Sequence, residues 1–214
     1  MAFDLKQLTI VQKRISDCRA CPNVVGPPIH GPAIESEIFL VGQAPGPHEG
    51  KKGRPFAHTA GKRLFEWFQS AGQVSEEKFR ASVYMVAVAR CFPGKAKGGA
   101  DRVPDAMEIK NCSEHMGREV ELLRPRLVIA VGRLAIETIL GEKVFSKKAK
   151  LSEVVGRTFR ARYFGYDVDV IPLPHPSGLS SWHKVEPGVS LLRDALGIVV
   201  HHEAWLRTFE INRP

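Results

Sequence analysis

Four short apolar runs limit what this chain can fold into. They lie at 38–41, 83–88, 127–131 and 168–173, and each is followed by a stretch whose apolar residues recur every three or four positions. Runs of this length without polar alternation suit strands covered on both faces. Such strands, alternating with helices, build a parallel sheet between two helical layers. The expected fold is α/β, a three-layer α/β/α sandwich with a central four-stranded parallel sheet. With 214 residues, 43% of them hydrophobic, the chain can bury a proper core as one domain over 1–214.

The helical pattern is specific enough to place boundaries. Leu5, Leu8, Val11 and Ile15 give an N-terminal helix, and Leu64, Trp67, Phe68 and Ala71 give a stripe that stops at Gly72. Ser75 caps a short helix ending near Arg80. Pro104 suits the first turn of the next helix, in which Ile109, Cys112, Met116, Val120 and Leu123 share a face. A helix over 133–140 closes at Gly141, and a long one covers about 188–207. Between them, a hairpin turning at Gly165 leads into the last strand.

No apolar run reaches the roughly 18 residues of a membrane span, and the N-terminus has no hydrophobic leader stretch. The expectation is a cytoplasmic monomer with no membrane partner. A net charge of +8 points to a polyanion, most commonly nucleic acid. The four cysteines, in a reducing compartment, are left with metal binding or simple burial. Cys18 and Cys21 form a Cys-x-x-Cys at the end of a helical pattern, followed by Pro22. A redox pair normally follows a strand and opens a helix.

The chemistry-bearing stretch runs over 40–61. It leaves the first strand, breaks into a loop dense in Gly and Pro, and ends where a helix starts. Open α/β sheets place ligands at such carboxyl ends. The loop holds Gln43, His48, Glu49, Phe56 and His58, which is a binding pocket's inventory. A nucleotide P-loop needs Gly-Lys followed by Ser or Thr, but Lys52 follows Gly50-Lys51 and Arg63 follows Gly61-Lys62. His175 stands between two prolines just past the last strand, on the same sheet edge as Gln43. Ser177 beyond it can approach a phosphate backbone, and Leu179 or Trp182 can wedge into a base stack. Residues 92–103 read as a flexible basic loop, whose Lys95, Lys97 and Arg102, with Lys184, would hold DNA phosphates.

Taken together, the residues 42–46 (GQAPG), 53–56 (GRPF), Gly61, 88–91 (VARC), Cys112 and 175–177 (HPS) resemble the iron–sulfur uracil-DNA glycosylases, usually called family 4. The match runs from the first cysteine pair to the last helix, with its motifs in order. The resemblance implies base-excision repair on uracil-containing DNA, and a [4Fe–4S] cluster on Cys18, Cys21, Cys91 and Cys112. Spacing alone leaves zinc in a Cys₄ site as the alternative. It also implies a pocket in which His175, Gln43, Glu49 and His48 supply catalysis, while Gly42, Gln43, Ala44, Phe56, Ala87 and His175 hold the base.

The chain departs from the family pattern at three points. Gln43 replaces the usual Glu, Gly50 replaces the second of an acidic pair whose first member is Glu49, and Ala87 replaces the Asn that reads the uracil edge. His48 is similar instead to the family 5 enzymes. Some other group, a backbone amide or a residue of 92–103, must then read the base. A glycosylase for hypoxanthine or xanthine and a non-catalytic abasic-site binder are the alternatives. A superfamily branch that cross-links DNA does so through a His in the loop after the second strand, and 92–103 contains none.

Overall fold

The structure, a computed structural model, describes residues 4–178 and 180–210. The first half of the chain supplies α1 (Leu5–Asp17), β1 (Ile38–Gly42), α2 (Glu49–Lys52), α3 (Thr59–Gly72), α4 (Glu76–Ser82), β2 (Tyr84–Ala87) and α5 (Ala106–Leu123). The second half supplies β3 (Leu127–Val131), α6 (Arg133–Leu140), β4 (Phe159–Tyr163), β5 (Tyr166–Leu173), α7 (Gly188–His201) and α8 (Glu203–Glu210). Every residue of β1 and β3 is buried, as expected of inner strands covered on both faces. One hydrophobic cluster runs from Leu8 through the sheet to Phe209.

The sheet has five strands in the order β2-β1-β3-β5-β4, so the four-stranded expectation is one strand short. The extra strand, β4, pairs antiparallel with β5, while the other pairs are parallel. Its burial alternates, as on an edge strand, so it never shows as an apolar run. It joins β5 through Phe164 and Gly165, both at positive φ (+46° and +88°), a geometry that suits a two-residue hairpin turn.

Three further boundaries differ from expectation. The long C-terminal helix is two helices, because His202 leaves the helical path. Its ring accepts from the backbone N–H of Ala204 at 3.1 Å and bonds Asp169 at 3.1 Å, and so caps α8 and ties it to β5. Pro104 lies outside α5, whose cap is Asp105 in a reciprocal capping box with Glu108. Leu5 is exposed, and Gln12 takes a buried place on α1 beside Leu8, Val11 and Ile15.

The connections place the site. From β1 the chain goes one way to β2 and then crosses to β3 on the other side. A crevice opens at the carboxyl ends where the direction reverses. Beyond the strands, Val88 N–H donates to the Gly42 carbonyl at 2.9 Å and Ala89 N–H to the Gln43 carbonyl at 3.0 Å, which carries the ladder into the loops.

Candidate active site and cysteine cavity

A cavity of about 320 Å³ opens at that edge. Gly42, Gln43, Ala44, His48, Glu49, Phe56, Ala87, Arg102, His175 and Ser177 all line it, so segments 43, 56 and 175 meet as one site. Lys95, Lys97 and Lys184 do not line it, and all three are exposed. Leu179 lies outside the described residues. Trp182 packs half-buried against the core in a 3₁₀ turn, Trp182–Lys184. The basic loop is better ordered than its composition suggests. Three backbone bonds, Ala96 to Ala100, Gly99 to Ala96 and Arg102 to Gly94, fold it into a hairpin. The Arg102 guanidinium is committed to Glu108 through bonds of 2.6 and 3.0 Å, so it holds the loop to α5.

Phe56 is the aromatic wall. It adopts φ +50°, a region that a bulky residue occupies only when its surroundings over-determine it. They do so from two sides. A Cβ on Gly61 would run into the Phe56 carbonyl, so α3 can begin there only with glycine. A Cβ on Gly42 would sit 2.9 Å from the tip of the ring, so the ring lies directly on β1. Arg80 of α4 then clamps the backbone, donating to the carbonyls of Pro55 at 2.9 Å and Phe56 at 2.8 Å while stacking over the Phe65 ring at 4.5 Å. Nothing in the sequence distinguishes Arg80 from an ordinary surface arginine. Arg80→Met should cost about 1.5–3 kcal/mol, the worth of a charged hydrogen bond, and should weaken substrate binding more than a distant surface change of equal stability cost. Chemical denaturation together with KM for the oligonucleotide substrate checks this.

His175 is held in a defined tautomer. Its Nδ1 accepts from the Ser177 backbone N–H at 3.2 Å, which leaves the proton of the neutral ring on Nε2. Burial lowers its pKa from the ordinary histidine value, His183 adds to this, and Asp101 opposes it. A second arginine, Arg63 of α3, donates to the Pro176 carbonyl at 3.0 Å and so ties the His175 loop to the helix that starts under Phe56. Glu49 is buried and accepts from Gly46 N–H at 3.1 Å, so it braces its own loop. His48 and His58 stack with centroids 4.1 Å apart at the cavity wall. Asp101, the one acid of 92–103, also lines the cavity. In the chain it follows Gly98-Gly99-Ala100 in a loop that reads as basic, so nothing local marks it.

The four cysteines line a second cavity, of about 310 Å³, formed where α1 ends, β2 ends and α5 begins its second turn. Burial pushes the Cys91 thiol up to about 12, with Cys112, Cys18 and Cys21 adding to the shift as nearby thiolates. The sulfurs have donors at hand: Arg90 N–H lies 3.4 Å from Cys112 Sγ, and Asn111 Nδ2 lies 3.4 Å from Cys21 Sγ. Arg90 is wholly buried, its Nε and Nη1 have no partner among the described residues, and it lines this cavity. Among the described residues no three His, Cys, Asp or Glu groups converge closely enough for one metal ion. The four thiols line one cavity of about 310 Å³, and zinc in a Cys₄ site would draw on the same four ligands. A polynuclear group with bridging sulfides to accept the spare arginine donors fits this donor set.

An aromatic platform, an imidazole with a fixed N–H and a glycine-rich floor at the carboxyl edge of a parallel sheet define an enzyme pocket for one planar ring. The chain belongs to the uracil DNA glycosylase superfamily, whose family model matches residues 28–195. Among its relatives, a type-4 uracil-DNA glycosylase of Archaeoglobus fulgidus is 30% identical over 179 residues, covering 82% of this chain and 84% of its own. A type-4 enzyme of Thermotoga maritima is 30% identical over 178 residues, covering 80% and 82%. A type-5 enzyme of Pyrobaculum aerophilum is 31% identical over 118 residues, covering 50% and 49%.

Proposed function

We propose that this protein is a monofunctional DNA glycosylase that takes uracil flipped out of DNA and hydrolyses its N-glycosidic bond, the opening step of base-excision repair. The observation that carries this reading is the convergence of Gln43, Phe56 and His175 on one cavity large enough for a single base. Phe56 stacks on the extruded ring. As the bond breaks, the sugar becomes cation-like and negative charge builds on the base at O2 and N1. Neutral His175 donates its Nε2–H to that charge, with backbone N–H groups of the 43–44 turn beside it. Donors fixed in a water-poor site act without reorganising, which is why such groups dominate rate enhancement. Gln43 cannot take a proton but can orient the attacking water, and His48 and Glu49 flank it.

The Ala87 side chain offers the base no polar group, so a backbone amide or another residue of the wall reads O4 and N3. The same absence favours hypoxanthine or xanthine as a second reading. Free-base release from oligonucleotides carrying each lesion separates the two. On a denaturing gel, strand scission only after alkali marks the monofunctional reaction. An intact strand with retarded mobility in a native gel marks a binder.

Cys18, Cys21, Cys91 and Cys112 would hold a [4Fe–4S] cluster, whose part is structural. It would tie α1 to the end of β2 and to α5, and so steady the 92–103 hairpin between them. Free thiols of this kind suit a reducing compartment, the cytoplasm. No helix among the described residues is long and apolar enough to cross a membrane. Of Lys95, Lys97, Arg102 and Lys184, only Lys97 and Lys184 have no ion-pair partner among the described residues, and both would meet phosphates. Replacing either with alanine should weaken DNA binding at every sequence and reduce the slope of log K against log salt by about 1. Titrations at several salt concentrations check this.

A further inference from the structure

We infer that Asp101 is the carboxylate this pocket uses in place of the one missing at Gln43: it faces the deoxyribose, stabilises the developing cation and takes the proton of the attacking water. The inference rests on the glycosylase reading and adds to it the base that reading lacks.

The geometry is as follows. Asp101 reaches the cavity from the returning arm of the 92–103 hairpin, where it bridges Lys95, beside the 43–49 loop. The position where a side chain would begin on Gly46 lies 3.0 Å from Glu49 Oε2 and 3.8 Å from Asp101 Oδ2. Two carboxylates from separate loops thus close on one point of the cavity wall. They are not equivalent. Glu49 Oε2 accepts the Gly46 N–H, which turns that oxygen toward its own loop, while Oε1 has no partner among the described residues. In Asp101, Oδ1 accepts from Lys95 Nζ at 2.6 Å, while Oδ2 has no partner among the described residues. Asp101 is also close enough to His175 to act on its charge state. The water and the leaving base therefore have an acceptor on one side and a donor on the other.

A purely structural role explains this poorly. The hairpin is already closed by three backbone bonds and by Arg102 on Glu108. The Lys95–Asp101 pair is about half exposed, and pairs of that kind contribute little to stability. Electrostatics argues further. In a chain of net charge +8 that must approach phosphates, a carboxylate at the rim of the pocket opposes binding. It is useful where a cation forms. The bookkeeping of the step is simple. Water oxygen bonds to C1′ as the C1′–N1 bond breaks, and that electron pair leaves with the base. The water proton passes to Asp101 Oδ2 and then to solvent, and the base anion, held by the His175 N–H, picks up a proton from solvent.

The test is single-turnover release of uracil from a labelled oligonucleotide, with DNA affinity measured in parallel, for wild type, Asp101→Asn and Asp101→Glu. The expected result is a loss of about 10²-fold or more in rate for Asp101→Asn, in the range of a lost general base. Its affinity for uracil-DNA should be equal or tighter, because a negative charge has gone, and Asp101→Glu should recover part of the rate. An Asp101→Asn rate within about 3-fold of wild type overturns the inference while leaving the glycosylase reading intact. A loss of rate matched by an equal loss of affinity, with no recovery in Asp101→Glu, also overturns it and makes Asp101 a brace for the hairpin. A wild-type protein that releases no base overturns the glycosylase reading itself, and this inference with it.

Discussion

His175→Ala is expected to slow uracil release by about 10²–10³-fold, the usual cost of removing one donor to developing negative charge. Binding of uracil-DNA should change little, because the donor acts on charge that the ground state does not carry. The expectation follows from how the ring is held. Pro174 and Pro176 stiffen its backbone, Arg63 grips the Pro176 carbonyl, and the Ser177 N–H occupies Nδ1, so the remaining N–H has one direction. Burial keeps the ring neutral by lowering its pKa. The sign of the linked effect on stability can be worked out. Above about pH 6.5 the ring is neutral both folded and unfolded and contributes nothing. As the pH falls from there toward the lowered folded value, the unfolded chain binds the proton more readily and native stability drops, levelling off below that value. His175→Ala should therefore be slower and also less acid-sensitive in its unfolding. Single-turnover kinetics and denaturation between pH 7 and 5 check both. A near wild-type rate would remove His175 from the chemistry.

Glu119→Ala is expected to be the most damaging change outside the pocket. Arg90 and Glu119 form an ion pair in which both side chains are wholly buried. Tyr84 donates to the other carboxylate oxygen at 2.8 Å, and Gln12 donates to the Tyr84 hydroxyl at 3.1 Å, which links α1, β2 and α5 through one polar network. Burial alone would lower the Arg90 pKa, but Glu119, Tyr84 and Cys112 outweigh it and keep the charge. Removing Glu119 leaves that charge buried without its partner, at about 3–5 kcal/mol. For a chain of this length the melting temperature should fall by roughly 6–20 °C. The effect should also reach the cysteine cavity, because Arg90 carries a donor to Cys112 and stands beside Cys91. Replacing both residues, Arg90→Met with Glu119→Leu, should recover much of the loss, since an apolar pair of similar volume leaves no stranded charge. Thermal melts of the single and double variants decide it. A single variant melting within a degree or two of wild type would mean that the network is hydrated.

Much of the fold was legible in the chain, and particular residues show why. The run at 127–131 is β3 to the residue, because a strand buried on both faces has no polar positions to blur its ends. Ser75 caps α4 through its side chain, as its residue type demands. Asp105 and Glu108 have the spacing of a capping box, but Pro104 set the expected start of α5 two residues too early. The hairpin turn at Gly165 was legible, but most of its first arm, β4, was lost among the polar residues of its exposed face. His202 broke the last helix for a partner, Asp169, that lies 33 positions back in the chain.

By itself the sequence determined the alternation of strands and helices, the two loops at one sheet edge and the identity of the four thiols. Each of these depends on neighbours within a few positions, where periodicity and turn chemistry act. Only the tertiary structure decided that Arg80 pins Phe56 in a left-handed conformation, that Arg90 and Glu119 neutralise each other in the core, and that Asp101 meets Gly46 across the cavity. Those outcomes depend on how loops from distant segments close over a common sheet, and the energy that settles them comes from burial and pairing that no local stretch contains.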